Sequence, residues 1–428
     1  MASTPSFAKI WFVLSFAVLA FGYGFASHAW GLFPKQHLER AWQQFNKESH
    51  RGLGPRTYDR KGARTLKPDD VQPGLTFVTS SWRESGEWKN GLRLIDREGN
   101  VVHKWRVDPD GLFSGEKSYM RNPSRTDIHG AYLLPNGDVV FNFTYVGTVR
   151  LNSCGEVMWA LSNGGHHSVS QSYDGTFWVS AVSTEKKTRS ERFPNGFPGL
   201  DKPVWVDQLM NVSPDGEVLS KISVLDLLYE NDLARFILKN GRGMADVTHL
   251  NDIEALPPSL ADQYPLFDTG DLVVSLHHVD LVFVVDPDTR KVKWHTDEPF
   301  MGQHDPDFLG KGWIGVFDNN NDEEGGSVLG GSRIVGVQPH TDSTTVTFSP
   351  DSLDRFFTPV RGKWQELENG NMLLTESEAG RVVEVSECGH LVWEWIHPGH
   401  DATVPSVTSG SRVDLSRADV KKWSCSSL

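Results

Sequence analysis

Cysteine and basic charge are both scarce in this chain of 428 residues. Its three cysteines, Cys154, Cys388 and Cys425, lack the CxxC and Cys/His spacings of zinc sites, and three cysteines do not make a disulfide framework. The net charge of −13 argues against a general nucleic-acid binder, which would carry a basic surface. The glycine-rich stretch 325–333 lacks the Lys-Ser/Thr pair of a Walker A motif, so nothing indicates a nucleotide donor.

Long apolar runs are also missing, except at the N-terminus. Residues 10–33 read IWFVLSFAVLAFGYGFASHAWGLF, with no charge except a possible one on His28. Because roughly 20 apolar residues span a bilayer, this run predicts an uncleaved transmembrane helix within residues 1–34. A cleaved signal peptide ending near Gly24-Phe25-Ala26 is the alternative.

Residues 35–74 are predicted to form a stalk and a linker. Leu38, Trp42 and Phe45 share one helical face, which predicts a short stalk helix over 36–48 at the membrane surface. Residues 50–74 are basic and rich in Gly and Pro, as in a linker. Basic residues follow the apolar run more than they precede it, which would place the large domain in the cytoplasm, but that rule is weak when a whole domain follows.

From about residue 75 the helical periodicity almost disappears, and two hairpin phrases alternate. LIDREGNVVHKW (94–105) is an example of the first phrase, and LLPNGDVVFNF (133–143) is an example of the second. Together they make four-strand units that start near residues 75, 129, 166, 249, 304 and 362. The pattern predicts an all-β, six-bladed β-propeller over 75–400, with a C-terminal tail over 401–428. A β-sandwich or two separate β-domains are the alternatives.

The third unit carries a long insertion, 183–204 and 222–246, whose second part has a helical pattern. Cys154 and Cys388 fall in equivalent hairpin turns of different blades. Because those turns should be too far apart to bridge, both cysteines are expected to be free thiols.

Histidines recur just ahead of the predicted innermost strands, where each blade meets one mouth of the central channel. Residues in these places should converge around the axis although they are far apart in sequence. The alternative is that each one only hydrogen-bonds the backbone at a strand start. The residues in this position are His129, His166 or His167, His249, His304 and, in the sixth blade, Gln365.

Three stretches carry a resemblance to a known family. They are DVTHLNDIEAL (246–256), LVVSLHHVDLVFVVDPDTRKVKW (272–294) and QHDPDFLGKGWIGVFDN (303–319). In order and spacing they are similar to segments of the bacterial arylsulfotransferases, six-bladed propeller enzymes that use no nucleotide. The resemblance covers roughly residues 75–398. It implies transfer of a sulfuryl group from an aryl sulfate to a phenol, with no cofactor and no metal.

The resemblance also implies roles for particular residues. His304 corresponds to the histidine that is transiently sulfurylated, and His249 and Asn251 to residues that contact the sulfuryl group. His167 or His166 resembles a further active-site histidine. The family has an arginine where Leu276-His277-His278 stands here, so His277 is expected to replace it. The family's N-terminal β-domain is missing from the pattern.

The chemistry explains why such residues are needed. Neutral imidazole is both a nucleophile and a leaving group, so His304 could accept and release the sulfuryl group. His249 is the candidate acid/base. The remaining candidates would donate hydrogen bonds to the substrate oxygens. They are Asn251, His167, His277, His166, Gln365 and His129.

Two other functions stay open at this point. Histidines 249, 304, 277 and 167 could form a metal site, although adjacent histidines on a strand point to opposite faces. The absence of the family arginine would also suit a non-catalytic, membrane-anchored scaffold or binding subunit. We expect a single-pass protein whose propeller lies in the periplasm or otherwise outside the cytoplasm. The sequence does not indicate an oligomeric state.

Overall fold

The computed structural model describes residues 7–30, 52–107, 109–113, 126–240, 243–350 and 353–423. The chain forms two compact units, residues 1–53 and 54–428. The first contains the helix Phe7–Trp30. Within the described ranges, no helix is both long enough and apolar enough to cross a membrane, so the transmembrane helix predicted from the sequence is not supported. The predicted stalk helix at 36–48 lies outside the described residues.

The second unit is a six-bladed β-propeller, which confirms the fold predicted from the repeat. From inner to outer strand, blade 1 consists of Val407–Val413, Leu75–Glu84, Glu87–Ile95 and Val101–Arg106. Blade 2 consists of Ile128–Leu133, Val139–Phe143, Gly147–Leu151 and Val157–Leu161. Blade 3 consists of Val169–Gln171, Phe177–Val182, Asp207–Val212 and Val218–Ser223. Blade 4 consists of Leu250–Ala255, Leu272–Leu276, Leu281–Val285 and Val292–Thr296. Blade 5 consists of His304–Gly310, Trp313–Asp318, Arg333–Gln338 and Ser343–Phe348. Blade 6 consists of Lys363–Glu366, Met372–Glu376, Arg381–Val385 and Leu391–Ile396, with Gly62–Thr65 as a fifth, outermost strand.

The burial of the strands follows from their place in a blade. The middle strands of blade 4, Leu272–Leu276 and Leu281–Val285, are buried along their whole length because neighbouring blades cover both faces. The outermost strand of blade 5, Ser343–Phe348, is exposed except at Phe348. The glycines of the predicted hairpin turns, such as Gly137 and Gly175, have positive φ, which explains why glycine is needed there.

The ring is closed by the C-terminal segment. Val407–Val413 pairs with Leu75–Glu84, from Val407 against Ser80 to Val413 against Leu75, and supplies the innermost strand of blade 1. Gly62–Thr65 pairs with Leu391–Ile396 at the outer edge of blade 6. Segments that the sequence assigned to a tail and a linker thus form part of the propeller sheets.

The helices of the second unit are short. Ser223 caps Val224–Glu230, which is followed by Ala234–Asn240, as predicted for the insertion of the third unit. The other short elements are the helices Pro109–Leu112, Pro258–Ala261 and Arg417–Val420, the 3-10 turn His277–Val279, and the strands Leu53–Pro55 and Thr403–Pro405.

The two cysteines of the hairpin turns differ. Cys388 is free, as expected. Cys154 is disulfide-bonded, so the prediction of a free thiol is wrong there. The argument from blade geometry excluded only a bridge between Cys154 and Cys388.

Candidate active site at the channel mouth

Five histidines from four blades form one continuous cluster. The ring centroids of His129 and His167 are 4.2 Å apart, and those of His167 and His249 are 4.7 Å apart. His277 continues the cluster at 5.5 Å from His249 and 4.9 Å from His304. The repeat therefore brings His129, His167, His249 and His304 together, and the turn after the second strand of blade 4 adds His277.

The backbone at this site takes conformations that non-glycine residues rarely adopt. His167, His249, Tyr145 and Arg361 all have positive φ, between 47° and 64°. Each such backbone conformation costs of order 1–3 kcal/mol of folding free energy and persists only where the surrounding structure holds it in place. At His249 the fixing contacts come from Asp207, which accepts hydrogen bonds from the Thr248 hydroxyl and from the backbone N–H of Leu250.

The tautomer of His304 is fixed by Asn319. The Nδ2 group of Asn319 donates to the backbone carbonyls of Thr358 and Arg361, at 2.8 and 2.7 Å. Its Oδ1 therefore faces His304 Nδ1 at 2.6 Å and can only accept, so Nδ1 carries the proton. His304 Nε2 then has the lone pair, which accepts a hydrogen bond from the backbone N–H of Arg361 at 3.2 Å.

The imidazole of His304 is neutral at neutral pH. Burial lowers its pKa to about 3, although the hydrogen bond to Asn319 acts in the opposite direction. Burial also lowers the pKa values of His129, His167 and His277, and neighbouring positive charge adds to the effect. A neutral Nε2 at a fixed position is what a nucleophilic histidine requires.

His249 forms a dyad with Asp246, which the sequence analysis did not identify as a site residue. Its Nδ1 lies 2.6 Å from Asp246 Oδ2 and 3.2 Å from the hydroxyl of Tyr145. Burial alone would raise the pKa of Asp246, but His249 lowers it strongly through its charge and hydrogen bond. A carboxylate held in this way orients the ring and stabilises its protonated form. The only indication of this dyad in the sequence is that an aspartate stands three residues before His249.

Arg361 is a second site residue that the sequence pattern did not indicate, and it connects His304 to blade 2. Its guanidinium pairs with Asp127, beside His129, while its backbone N–H reaches His304. Arg361 stands two residues before the inner strand of blade 6. This place was assigned to Gln365 from the sequence. Gln365 lies within that strand instead, where its carboxamide is hydrogen-bonded to the backbone of Arg412, away from the cluster.

The other predicted residues take supporting positions. Asn251 is buried, and its Nδ2 donates to the carbonyl of Gln303 at 2.7 Å, directly before His304. Gln303 in turn donates to the hydroxyl of Ser275 and to carbonyls of blade 4. His166 is fully buried with Nδ1 2.8 Å from that of His167. These contacts position His304 and His167.

A second charged group lies farther along the inner strands of blades 4 to 6. Lys363 Nζ is 3.0 Å from Asp252 Oδ1 and also contacts Asp305. Burial raises the pKa of Asp305 to about 6 and that of Glu254 to about 8. One ammonium thus faces several carboxyl groups. This acidic group makes its part of the channel unfavourable for an anionic ligand.

Within the described residues, one set of side chains could hold a metal ion. It consists of Asp246, His249 and His278, whose potential ligand atoms all lie within 4.8 Å of one another. It differs from the histidine set proposed from the sequence, since only His249 is shared.

The fold and the site define a six-bladed propeller whose channel mouth carries a cluster of five histidines, with Arg361 between His304 and Asp127. The family model described as arylsulfotransferase (ASST) matches residues 130–398. The chain therefore belongs to the arylsulfotransferase family, which confirms the resemblance seen in the sequence.

One of the similar solved structures supports the fold, and the fold alone. A protein of unknown function from Bacteroides caccae is similar with a TM-score of 0.51 and 12% identity, covering 80% of this chain and 100% of that chain. Kuenenia stuttgartiensis hydrazine synthase has a TM-score of 0.41 and 11% identity, covering 77% of this chain and 78% of its own. Virginiamycin B lyase from Staphylococcus aureus has a TM-score of 0.35 and 12% identity, covering 68% and 86%. No curated protein sequence matches the chain.

Proposed function

We propose that this protein transfers a sulfuryl group from an aryl sulfate to a phenol, without a nucleotide, through a sulfohistidine at His304. The observation that carries the proposal is the environment of His304. Asn319 fixes the proton on Nδ1, and burial keeps the ring neutral. Nε2 then carries the lone pair of the nucleophile, which accepts a hydrogen bond from the backbone N–H of Arg361 before substrate binds. The family resemblance implies that this histidine is the one that is sulfurylated.

The reaction has two balanced steps. In the first, His304 Nε2 forms a bond to sulfur while the bond from sulfur to the aryl oxygen breaks. The departing phenolate takes a proton from protonated His249, which Asp246 stabilises. In the second, neutral His249 takes a proton from the acceptor phenol. The phenol oxygen then bonds to sulfur, and the bond from sulfur to Nε2 breaks.

Arg361 supplies the positive charge that the family places on the strand of blade 4. Its guanidinium is paired with Asp127, so its position is fixed before substrate binds. A planar guanidinium suits the oxygens of a sulfate because it offers several donors in one plane. We assign it to binding the sulfuryl oxygens, together with the side chains of Asn251, His167 and His277.

The extracytoplasmic location stays a prediction from the sequence. The disulfide at Cys154 supports it, because structural disulfides persist mainly in oxidising compartments such as the periplasm.

The test is an assay of purified protein with a chromogenic aryl sulfate and a phenol. His304→Ala should reduce phenol release by about three orders of magnitude or more, since it removes the nucleophile. His390→Ala is the matched control, because His390 is exposed in an outer hairpin turn and should leave the rate unchanged. Mass spectrometry of the protein quenched during turnover with donor alone should find a sulfuryl group on a peptide containing His304.

Equal rates for the wild type and His304→Ala would show that His304 is not the nucleophile. Absence of turnover in both, over a range of aryl sulfates, would favour the non-catalytic scaffold.

A further inference from the structure

The side chains of Asp246, His249 and His278 face one another at the edge of the histidine cluster. All three are partly exposed, so a small ion can reach them. The rings of His249 and His278 are stacked, with centroids 4.3 Å apart. His278 has no part in the transfer mechanism, and its position therefore calls for a separate explanation.

The orientation of His278 is that of a metal ligand. Its Nδ1 lies 2.9 Å from the backbone carbonyl of Asp246, which can only accept, so Nδ1 carries the proton. Nε2 is left with the lone pair. Histidines that bind metals almost always donate their other ring N–H to a carbonyl or carboxylate in this way, which fixes the tautomer and the ring direction.

The backbone also holds the two histidine segments together. The backbone N–H groups of His277 and His278 donate to the carbonyls of His249 and Thr248, at 3.0 and 3.2 Å. His249 has a φ of 53°, which Asp207 stabilises through its contacts on both sides. The three donors are therefore arranged before any ion arrives, and binding requires little ordering.

We propose that Asp246, His249 and His278 bind one divalent transition-metal ion, with Zn²⁺ as the representative. Two imidazole nitrogens and one carboxylate oxygen suit zinc and similar ions and do not suit Ca²⁺ or Mg²⁺, which prefer oxygen. Zinc bonds of about 2.0–2.2 Å require the ligand atoms to lie roughly 3.3 Å apart, so small side-chain movements suffice. Three protein ligands leave a fourth position open.

The ion regulates the transfer reaction by competing for His249. A metal bound to His249 and Asp246 replaces their mutual contact and removes the acid/base from use, so the loaded protein is inhibited. This second part rests on the proposed function, whereas the binding site itself does not.

The experiment measures binding directly. Protein freed of metal by a chelator is titrated with Zn²⁺ by calorimetry, and with Co²⁺ by visible absorption, whose intensity reports tetrahedral geometry. The wild type should bind one equivalent. His278→Ala and Asp246→Asn should each weaken binding at least about tenfold, since each removes a ligand. His390→Ala, which removes an exposed histidine elsewhere, should bind like the wild type.

Melting curves of the metal-free variants show whether each is folded, and His278→Gln serves as a second variant if His278→Ala unfolds. The binding site is overturned if the wild type takes up no ion, or if folded His278 variants bind as the wild type does. Binding without an effect on transfer would overturn the regulatory part alone. Binding in a protein with no transferase activity would leave the site standing and remove the proposed function.

Discussion

The carboxamide of Asn319 donates both of its hydrogens to backbone carbonyls, and its oxygen remains for His304. His166 is equally buried, but its Nδ1 faces another imidazole nitrogen, Nδ1 of His167, at 2.8 Å, and either ring can supply that proton. At the scale of single residues, the partner of Nδ1 therefore distinguishes His304, whose tautomer is fixed, from His166, whose tautomer is not.

Arg361→Lys separates the side chain of this residue from its backbone. The backbone N–H that reaches His304 Nε2 is retained, but the planar set of donors is lost. We expect the KM for the aryl sulfate to rise about tenfold with a smaller change in kcat. Steady-state kinetics check this, with Arg83→Lys as the control because Arg83 is exposed in blade 1. A fall in kcat at constant KM would assign Arg361 to another step.

The sequence could predict part of this site. The repeat placed His129, His167, His249 and His304 at equivalent strand starts, and the structure brings them together. It could not place Tyr145 or Arg361, because both lie in connecting segments with positive φ that no periodic pattern specifies. Gln365 was misplaced because the inner strand of blade 6 begins at Lys363, two residues before Gln365, and not after it.

At the scale of elements, the strand Val407–Val413 joins its own blade to its neighbours. The hydroxyl of Thr408 lies 2.8 Å from the carbonyl of Ile128 in blade 2, and the backbone N–H of Gly410 donates to Thr375 in blade 6. The six-bladed ring could be predicted from the spacing of the hairpins. The closing strand could not, because a single strand without its hairpin lacks the repeated phrase.

Thr408→Val tests this connection. The substitution keeps the shape of a β-branched side chain but removes a buried hydroxyl and leaves the carbonyl of Ile128 with one partner fewer. The free energy of unfolding should fall by about 1–2 kcal/mol, measured in urea. Thr345→Val in the exposed outermost strand of blade 5 should change it by less than about 0.5 kcal/mol. Equal effects would show that the hydroxyl contact is not what stabilises the closure.

At the scale of the whole molecule, the buried histidines make stability depend on pH. Burial lowers the pKa values of His304 and His397 to about 3, against about 6.5 in the unfolded chain. Between these values the unfolded state binds more protons than the folded state. The stabilisation is therefore complete above about pH 6.5 and is lost as the pH falls toward 3.

His397→Gln tests how much one buried histidine, which lies away from the channel mouth, contributes to the pH dependence of stability. Between pH 7 and pH 5 each such histidine should cost the wild type about 2 kcal/mol of unfolding free energy. Urea denaturation at the two pH values should show a smaller loss for His397→Gln by about that amount, even if the variant is less stable overall. An unchanged loss would mean that His397 does not take up a proton on unfolding.

The position of the closing strand also determines when the protein can finish folding. Blade 1 contains residues 75–106 and 407–413, so its sheet is complete only after residue 413 has been synthesised. Until then the inner edge of Leu75–Glu84 has no partner, and an open edge can pair with another chain. A chain whose synthesis stops before residue 407 should therefore aggregate more readily than the complete propeller, because that edge stays unpaired.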